Sequence, residues 1–172
     1  MSTKLDKWLE ENCHGYSMLD EDEKRIIKDF ALMWSYFECF YLETEGGTKK
    51  ILEFAEKVDD TSCNDLLDKI INYFRKRYVN SNGSPTRHFF YLNFCKYENG
   101  KRVEKVPFQV HSVLFGGEED YKLKLKAALL IIYRYRNNFF HGEKWLYDMK
   151  GQKKNFEESI ELLQKLCEAH YK

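Results

Sequence analysis

The segment 136–141, with the sequence Arg-Asn-Asn-Phe-Phe-His, contains side chains that could act on a phosphate ester. The planar guanidinium of Arg136 can bind two phosphate oxygens at once. A histidine imidazole, such as that of His141, can either accept or donate a proton. Asn137 could orient the phosphate or hold the imidazole ring. These residue types suit proton transfer at a phosphate, a reaction that requires no metal ion.

A helix must position these side chains. Residues 122–141 have the pattern of the most apolar helix in the chain. On an ideal helix, several apolar residues lie within about 60° of Arg136 around the axis: Leu125, Leu129, Ile132, Tyr133 and Phe140. We therefore expect Arg136 on a core-facing stripe. Because removing a guanidinium from water is costly, Arg136 then requires a carboxylate, a phosphate or a partner subunit.

Glu38 occupies a similar position on an earlier predicted helix. It lies between Phe37 and Cys39 and shares a face with Trp34. An acidic and a basic residue on apolar faces are natural partners, so we predict a pair between Glu38 and Arg136. A buried ion pair that only fixes the register of two helices explains this pattern about equally well.

A second polar face lies near the end of the same helix. Arg134, Asn137, Asn138 and His141 fall within about 50° of their common centre on an ideal helix. Such a cluster at the end of an apolar helix indicates a functional site. Arg136 and His141 are about 140° apart around the axis, so convergence on one ligand needs an extended Arg side chain, a distorted last turn or a second subunit. This geometry indicates a homodimer.

Helical spacing of apolar residues continues through most of the chain. Asp20 and Glu23 form a capping-box pattern at the start of one helix, which we expect to end at Gly46-Gly47. Further helices are predicted at about residues 48–58, 63–77, 122–141 and 155–170. Gly142 is the expected end of the helix at 122–141. The fold class is therefore predicted to be mainly α, a helical bundle.

Residues 88–110 have a different pattern. Aromatic and β-branched residues, at 91–94 and 103–110, flank Asn99-Gly100, the strongest short signal of a hairpin turn. We predict a small hairpin or irregular insert near residues 86–112. The aromatic residues elsewhere are mostly at core spacing, so no base-stacking surface is expected.

With 172 residues of which 43% are hydrophobic, the chain can bury one sizeable core. We interpret residues 1–172 as one domain, with 1–18 as an N-terminal arm or short helix and 82–120 as an insert between bundle helices. Residues 1–60 carry 8 Lys and Arg against 15 Asp and Glu, and residues 61–172 carry 20 against 13. This asymmetry suits a polyanionic partner, although solvated helix faces explain it equally well.

The five cysteines have no CxxC spacing, so neither a disulfide framework nor a zinc site is predicted, and no cofactor is indicated. No apolar segment resembles a signal peptide or reaches the roughly 18 residues that crossing a membrane requires. We expect a cytoplasmic protein without membrane contact.

Residues 136–142 resemble the signature of the HEPN superfamily, in which an Arg is followed four to six residues later by a His, with a polar residue directly after the Arg. Here four residues separate the pair and the polar residue is Asn137. Residues 133–145 resemble a bacterial HEPN branch whose motif helix ends in His-Gly, and residues 30–38 are similar to an earlier helix of that branch.

This resemblance covers both halves of the bundle but extends poorly to residues 1–18 and 82–120. HEPN domains are small helical bundles, commonly dimeric. Many are metal-independent endoribonucleases of toxin–antitoxin and antiphage systems, and others only bind. The resemblance therefore implies an RNA substrate, a homodimer and an antitoxin or regulatory protein as partner. A catalytically inactive module that binds RNA, nucleotide or protein is the alternative, and a purely structural adaptor is a third.

On the first interpretation, Arg136, His141 and Asn137 are the catalytic residues. Glu38 would hold Arg136, and Arg134 and Asn138 would contact phosphate or base. RNA carries its own nucleophile, the 2′-hydroxyl, so cleavage needs only a proton acceptor, a proton donor and a cation for the phosphorane charge. The expected product has a 2′,3′-cyclic phosphate, and DNA is not expected to be cut.

Overall fold

The computed structural model describes residues 3–59, 61–98, 101–141 and 151–170. Within these ranges the chain is mainly helical, which confirms the predicted fold class. The elements in chain order are α1 (Lys4–Asn12), α2 (His14–Ser17), α3 (Glu21–Tyr41), α4 (Thr48–Lys57), α5 (Asn64–Tyr78), α6 (Arg87–Phe90), β1 (Cys95–Glu98), β2 (Lys101–Glu104), α7 (Phe108–Phe115), α8 (Tyr121–Phe140) and α9 (Lys153–Ala169).

Helix α3 begins as predicted but ends earlier. The Asp20 carboxylate accepts from the Glu23 backbone N–H at 2.7 Å, and the Glu23 carboxylate accepts from the Asp20 backbone N–H at 3.1 Å, which confirms the capping box. The predicted end at Gly46-Gly47 was wrong. Glu43 and Thr44 adopt positive φ angles of 55° and 63°, which stop the helix after Tyr41 without a glycine.

The predictions for α4, α5, α8 and α9 are confirmed to within a few residues. Helix α5 ends directly after the basic residues 75–77, and His141 caps α8. The predicted stop at Gly142 lies outside the described residues.

The insert contains the predicted hairpin. Strands β1 and β2 pair antiparallel, with Cys95 opposite Glu104 and Glu98 opposite Lys101, and the Asn99-Gly100 turn lies outside the described residues. Residues 105–110 do not extend the hairpin as their β-branched pattern indicated. Pro107 caps α7 instead, and the apolar face of this helix packs against α8.

Helix α8 is the central element. All residues of the run 127–132 are buried, and α8 contacts α4, α5, α7 and α9. Helices α3 and α9 run in the same direction. Near their starts Phe30 stacks on Phe156, with 4.5 Å between ring centroids, and near their ends the Tyr41 hydroxyl donates to the Cys167 carbonyl at 3.0 Å. Among the described residues, no helix is long and apolar enough to cross a membrane.

The predicted N-terminal arm forms the short helices α1 and α2, which Asp6 attaches to α3. The Asp6 carboxylate accepts from Lys28 Nζ and from the Tyr16 hydroxyl, each at 2.5 Å. Lys28 contributes most to a pKa of Asp6 well below its usual range, and Tyr16 and Thr3 add to the shift. The ionised carboxylate therefore stabilises the attachment.

This lowered pKa predicts how stability depends on pH. The contribution of Asp6 is fully present above the unfolded-state pKa of about 3.9 and decreases as pH falls below that value, because the unfolded chain then binds the proton first. Urea unfolding of wild type and Asp6→Asn should differ clearly at pH 7 and less at pH 3. A difference that stays constant between the two pH values would contradict the role assigned to Asp6.

Candidate functional site

The predicted pair between α3 and α8 is present. Arg136 Nη2 lies 3.3 Å from Glu38 Oε2 and 3.5 Å from Oε1. The two side chains are 25% and 19% exposed, respectively. One nitrogen thus faces both carboxylate oxygens at distances longer than those of a tight charge-assisted hydrogen bond. The pair is half-buried, and its geometry leaves other guanidinium donors uncommitted to Glu38.

Two neighbours hold the Glu38 carboxylate in place. The Trp34 indole Nε1–H donates to Oε2 at 2.6 Å. A Cβ atom added at Gly46 would lie only 1.8 Å from Oε1 and 2.5 Å from the carboxyl carbon. Gly46 therefore does not end a helix, as the sequence indicated, but allows the chain to pass directly over the carboxylate.

The guanidinium of Arg136 has two further contacts within its own helix. Nη1 donates to Asn137 Oδ1 at 3.1 Å, and Cζ lies 5.2 Å from the centre of the Phe140 ring. Nε is buried without a hydrogen-bond partner among the described residues. Because a guanidinium has five N–H donors, these contacts leave one N–H of Nη1 for an oxygen ligand.

His141 lies one turn beyond Asn137, at the end of α8. Its backbone N–H donates to the Asn137 carbonyl at 2.9 Å, and the residue is exposed. Among the described residues, its imidazole forms no hydrogen bond or ion pair. The structure therefore brings Arg136, Asn137 and Glu38 together, whereas His141 is exposed one helical turn beyond Asn137.

Arg134 and Asn138 have a role that the sequence did not reveal. Arg134 Nε donates to the Leu92 carbonyl at 2.7 Å, and Asn138 Nδ2 donates to the Tyr91 carbonyl at 2.8 Å. Arg134 Nη2 also donates to Asn138 Oδ1 at 3.2 Å. Both side chains brace the loop before β1, and Asn138 is 2% exposed. The four predicted polar groups are therefore not one open cluster, and RNA contact by Arg134 stays a prediction.

A buried polar network holds α8 from another side. The hydroxyls of Tyr78 and Tyr135 are hydrogen-bonded to each other, and Tyr135 also donates to Asn155 Oδ1 at 3.2 Å. Tyr73 donates to the same oxygen at 2.8 Å. Burial raises the pKa of both Tyr78 and Tyr135, so both stay neutral near pH 7. The network connects α5, α8 and α9 at Tyr135, the residue that precedes Arg136.

Comparison with family models, with curated proteins and with solved structures finds no match to this chain. Within the part of the chain that the structure describes, no group of three His, Cys, Asp or Glu side chains could hold a metal ion. What the site can do must therefore be inferred from its own geometry.

The contact between Gly46 and Glu38 can be tested with a matched pair of substitutions. Gly46→Ala should displace the carboxylate, separate it from Trp34 and Arg136, and lower the free energy of unfolding by about 1–3 kcal/mol. In Gly47→Ala, the added Cβ would meet only the Glu45 carbonyl oxygen, at 3.9 Å. That control should lose less than about 1 kcal/mol. Equal urea midpoints for the two variants would contradict the close packing on Glu38.

Proposed function

We propose that the protein is a metal-independent endoribonuclease that cleaves RNA by attack of the 2′-hydroxyl on the adjacent phosphate. The observation that carries this proposal is the half-buried Arg136, held by Glu38 and Asn137 with an N–H of Nη1 still available, near the same helix end as the exposed His141. A positioned cation and a titratable group at one helix end are what phosphate-ester cleavage requires. The resemblance of residues 136–142 to the HEPN signature supports the same activity.

In this mechanism Arg136 binds the non-bridging phosphate oxygens and stabilises the charge of the phosphorane. Glu38 acts through Arg136, because its carboxylate contacts Nη2 and orients the guanidinium. Asn137 Oδ1 accepts a hydrogen bond from the guanidinium and so helps to keep it in place. The Asn137 backbone carbonyl accepts from the His141 backbone N–H. His141 accepts the proton of the 2′-hydroxyl or donates one to the departing 5′-oxygen.

One histidine cannot perform both proton transfers on opposite sides of the phosphate at the same time. In a homodimer that brings two copies of the α8 end into one cleft, one His141 would act as base and the other as acid. The separation of Arg136 and His141 around α8 is consistent with such a composite site, since five residues make one full turn plus about 140°. The proposal therefore includes a dimer.

The biological role that fits this activity is that of a toxin or antiphage effector acting in the cytoplasm, restrained by an antitoxin or regulatory protein. It is supported by the resemblance to HEPN ribonucleases. Arg134 remains a candidate RNA contact, whereas Asn138 is left out because its side chain is committed to the Tyr91 carbonyl.

The second candidate function is that of an inactive module that binds RNA, nucleotide or a protein partner. One observation favours it: the His141 imidazole has no hydrogen-bond partner among the described residues that would orient it for proton transfer, whereas Arg136 is held by Glu38 and Asn137. Binding without cleavage across a broad RNA panel would select this alternative.

Cleavage of labelled RNA in the presence of EDTA tests the proposal. His141→Ala should lower the rate by at least about 100-fold, because general acid–base catalysis contributes that much or more. His111→Ala, which changes a histidine on α7, should leave the rate unchanged. Cleavage by purified His141→Ala at the wild-type rate would overturn the mechanism. So would loss of the wild-type activity when EDTA is added.

A further inference from the structure

Phe140 does not occupy the place that helical spacing predicts for it. The spacing puts this residue on the core-facing stripe of α8 with Leu129 and Ile132, and those two residues are buried. Phe140 is 53% exposed instead. Single exposed aromatic residues are common on protein surfaces, but this one contacts Arg136 and directly precedes His141 in the chain.

The Phe140 ring is held by two neighbours. The Arg136 guanidinium lies over the ring, with Cζ 5.2 Å from the ring centre. The Phe139 ring meets it edge-on, with 5.1 Å between the ring centroids and 75° between the planes. Phe139 packs in turn against the buried ring of Phe156 at 6.1 Å. Contacts that reach into the core therefore place the ring, although about half of the residue is accessible to solvent.

The ring lies where one nucleotide could contact both it and Arg136. A phosphate oxygen bound to the remaining N–H of Arg136 Nη1 lies close to the Phe140 ring, because the guanidinium itself lies over that ring. In single-stranded RNA, unpaired bases turn outward and stack on aromatic side chains while cations bind the phosphates. Stacking needs no hydrogen-bond donor or acceptor from the protein, and every base has a face that can stack.

A subunit contact is the other use of an exposed aromatic ring. The core of such an interface needs several neighbouring apolar side chains. All of α8 lies within the described residues, and no large apolar side chain of this helix other than Phe140 is exposed. The isolated ring beside a cation therefore fits an unpaired base of RNA better than it fits the core of a subunit interface.

We propose that Phe140 stacks on an unpaired base next to the cleaved phosphate, so that Arg136 and Phe140 together bind one phosphate and one base of the RNA. The inference rests on the proposed ribonuclease function and adds to it a residue that binds the base. Because stacking accepts every base, Phe140 contributes affinity and placement of the strand rather than recognition of one base. Helical spacing did not indicate this role, since it assigns Phe140 to the core.

Binding of RNA that cannot be cleaved tests the stacking separately from catalysis. Two fluorescent 2′-O-methyl hexanucleotides serve as probes in anisotropy measurements: one carries adenine at every position, and the other has the same sugar–phosphate backbone without bases. Phe140→Ala should weaken binding of the adenine probe at least about fivefold, as expected for loss of one stacked base, and change binding of the abasic probe less than about twofold. Phe140→Trp keeps a ring that can stack and should bind the adenine probe within about threefold of wild type.

Phe90→Ala is the matched control, because Phe90 on α6 is exposed to a similar extent, 55%, and should bind both probes as wild type does. Unchanged binding of the adenine probe by Phe140→Ala, or equal weakening of both probes, would overturn the inference even if the protein cleaves RNA in a His141-dependent manner. So would a wild-type protein that binds the adenine probe no more tightly than the abasic probe.

Light scattering of wild type and Phe140→Ala separates stacking from a subunit contact. The two proteins should have the same mass in solution, and a change from dimer to monomer in Phe140→Ala would overturn the inference. Adenine-dependent binding that requires Phe140, in a protein that cleaves no RNA, would support the stacking and overturn the ribonuclease function.

Discussion

The half-buried pair of Arg136 and Glu38 constrains the rest of the site. Each partner alone would be a charge largely removed from water, which is strongly destabilising, whereas together they fix α8 relative to α3. Two neighbours fix the position of the Glu38 carboxylate: the Trp34 indole N–H donates to it, and Gly46 lets the chain approach it closely. A cation placed so firmly, yet with a donor left over, can bind an anion without first having to be ordered.

The end of α8 is held from three sides. Glu38 holds it from α3, the loop before β1 is tied to it by Arg134 and Asn138, and the Tyr78–Tyr135 network holds it from α5 and α9. Such support is what a functional site needs, because small displacements of a reacting group reduce its effect strongly. His141 extends just beyond this rigid region, where a second subunit or a substrate could complete its surroundings.

The sequence predicted those features that depend on periodicity and on the cost of burying charge. The capping box follows from Asp20 and Glu23 three residues apart at the start of a helix, and the pairing of Arg136 with Glu38 follows from helical spacing together with that cost. The early end of α3 did not follow, since Glu43 and Thr44 adopt a backbone conformation usually taken by glycine. The bracing role of Asn138 was not predictable either, because the path of the loop that it binds depends on tertiary packing.

The chemistry of the cleaved ends tests the central claim most directly. A defined oligoribonucleotide incubated with the wild-type protein in EDTA, and analysed by mass spectrometry, should yield fragments with 2′,3′-cyclic phosphate and 5′-hydroxyl ends, because the adjacent 2′-hydroxyl is the nucleophile. The same oligonucleotide with 2′-deoxy residues should remain intact. Fragments with 3′-hydroxyl and 5′-phosphate ends, or cleavage of the deoxy oligonucleotide, would contradict the assignment of Arg136 and His141 to this reaction.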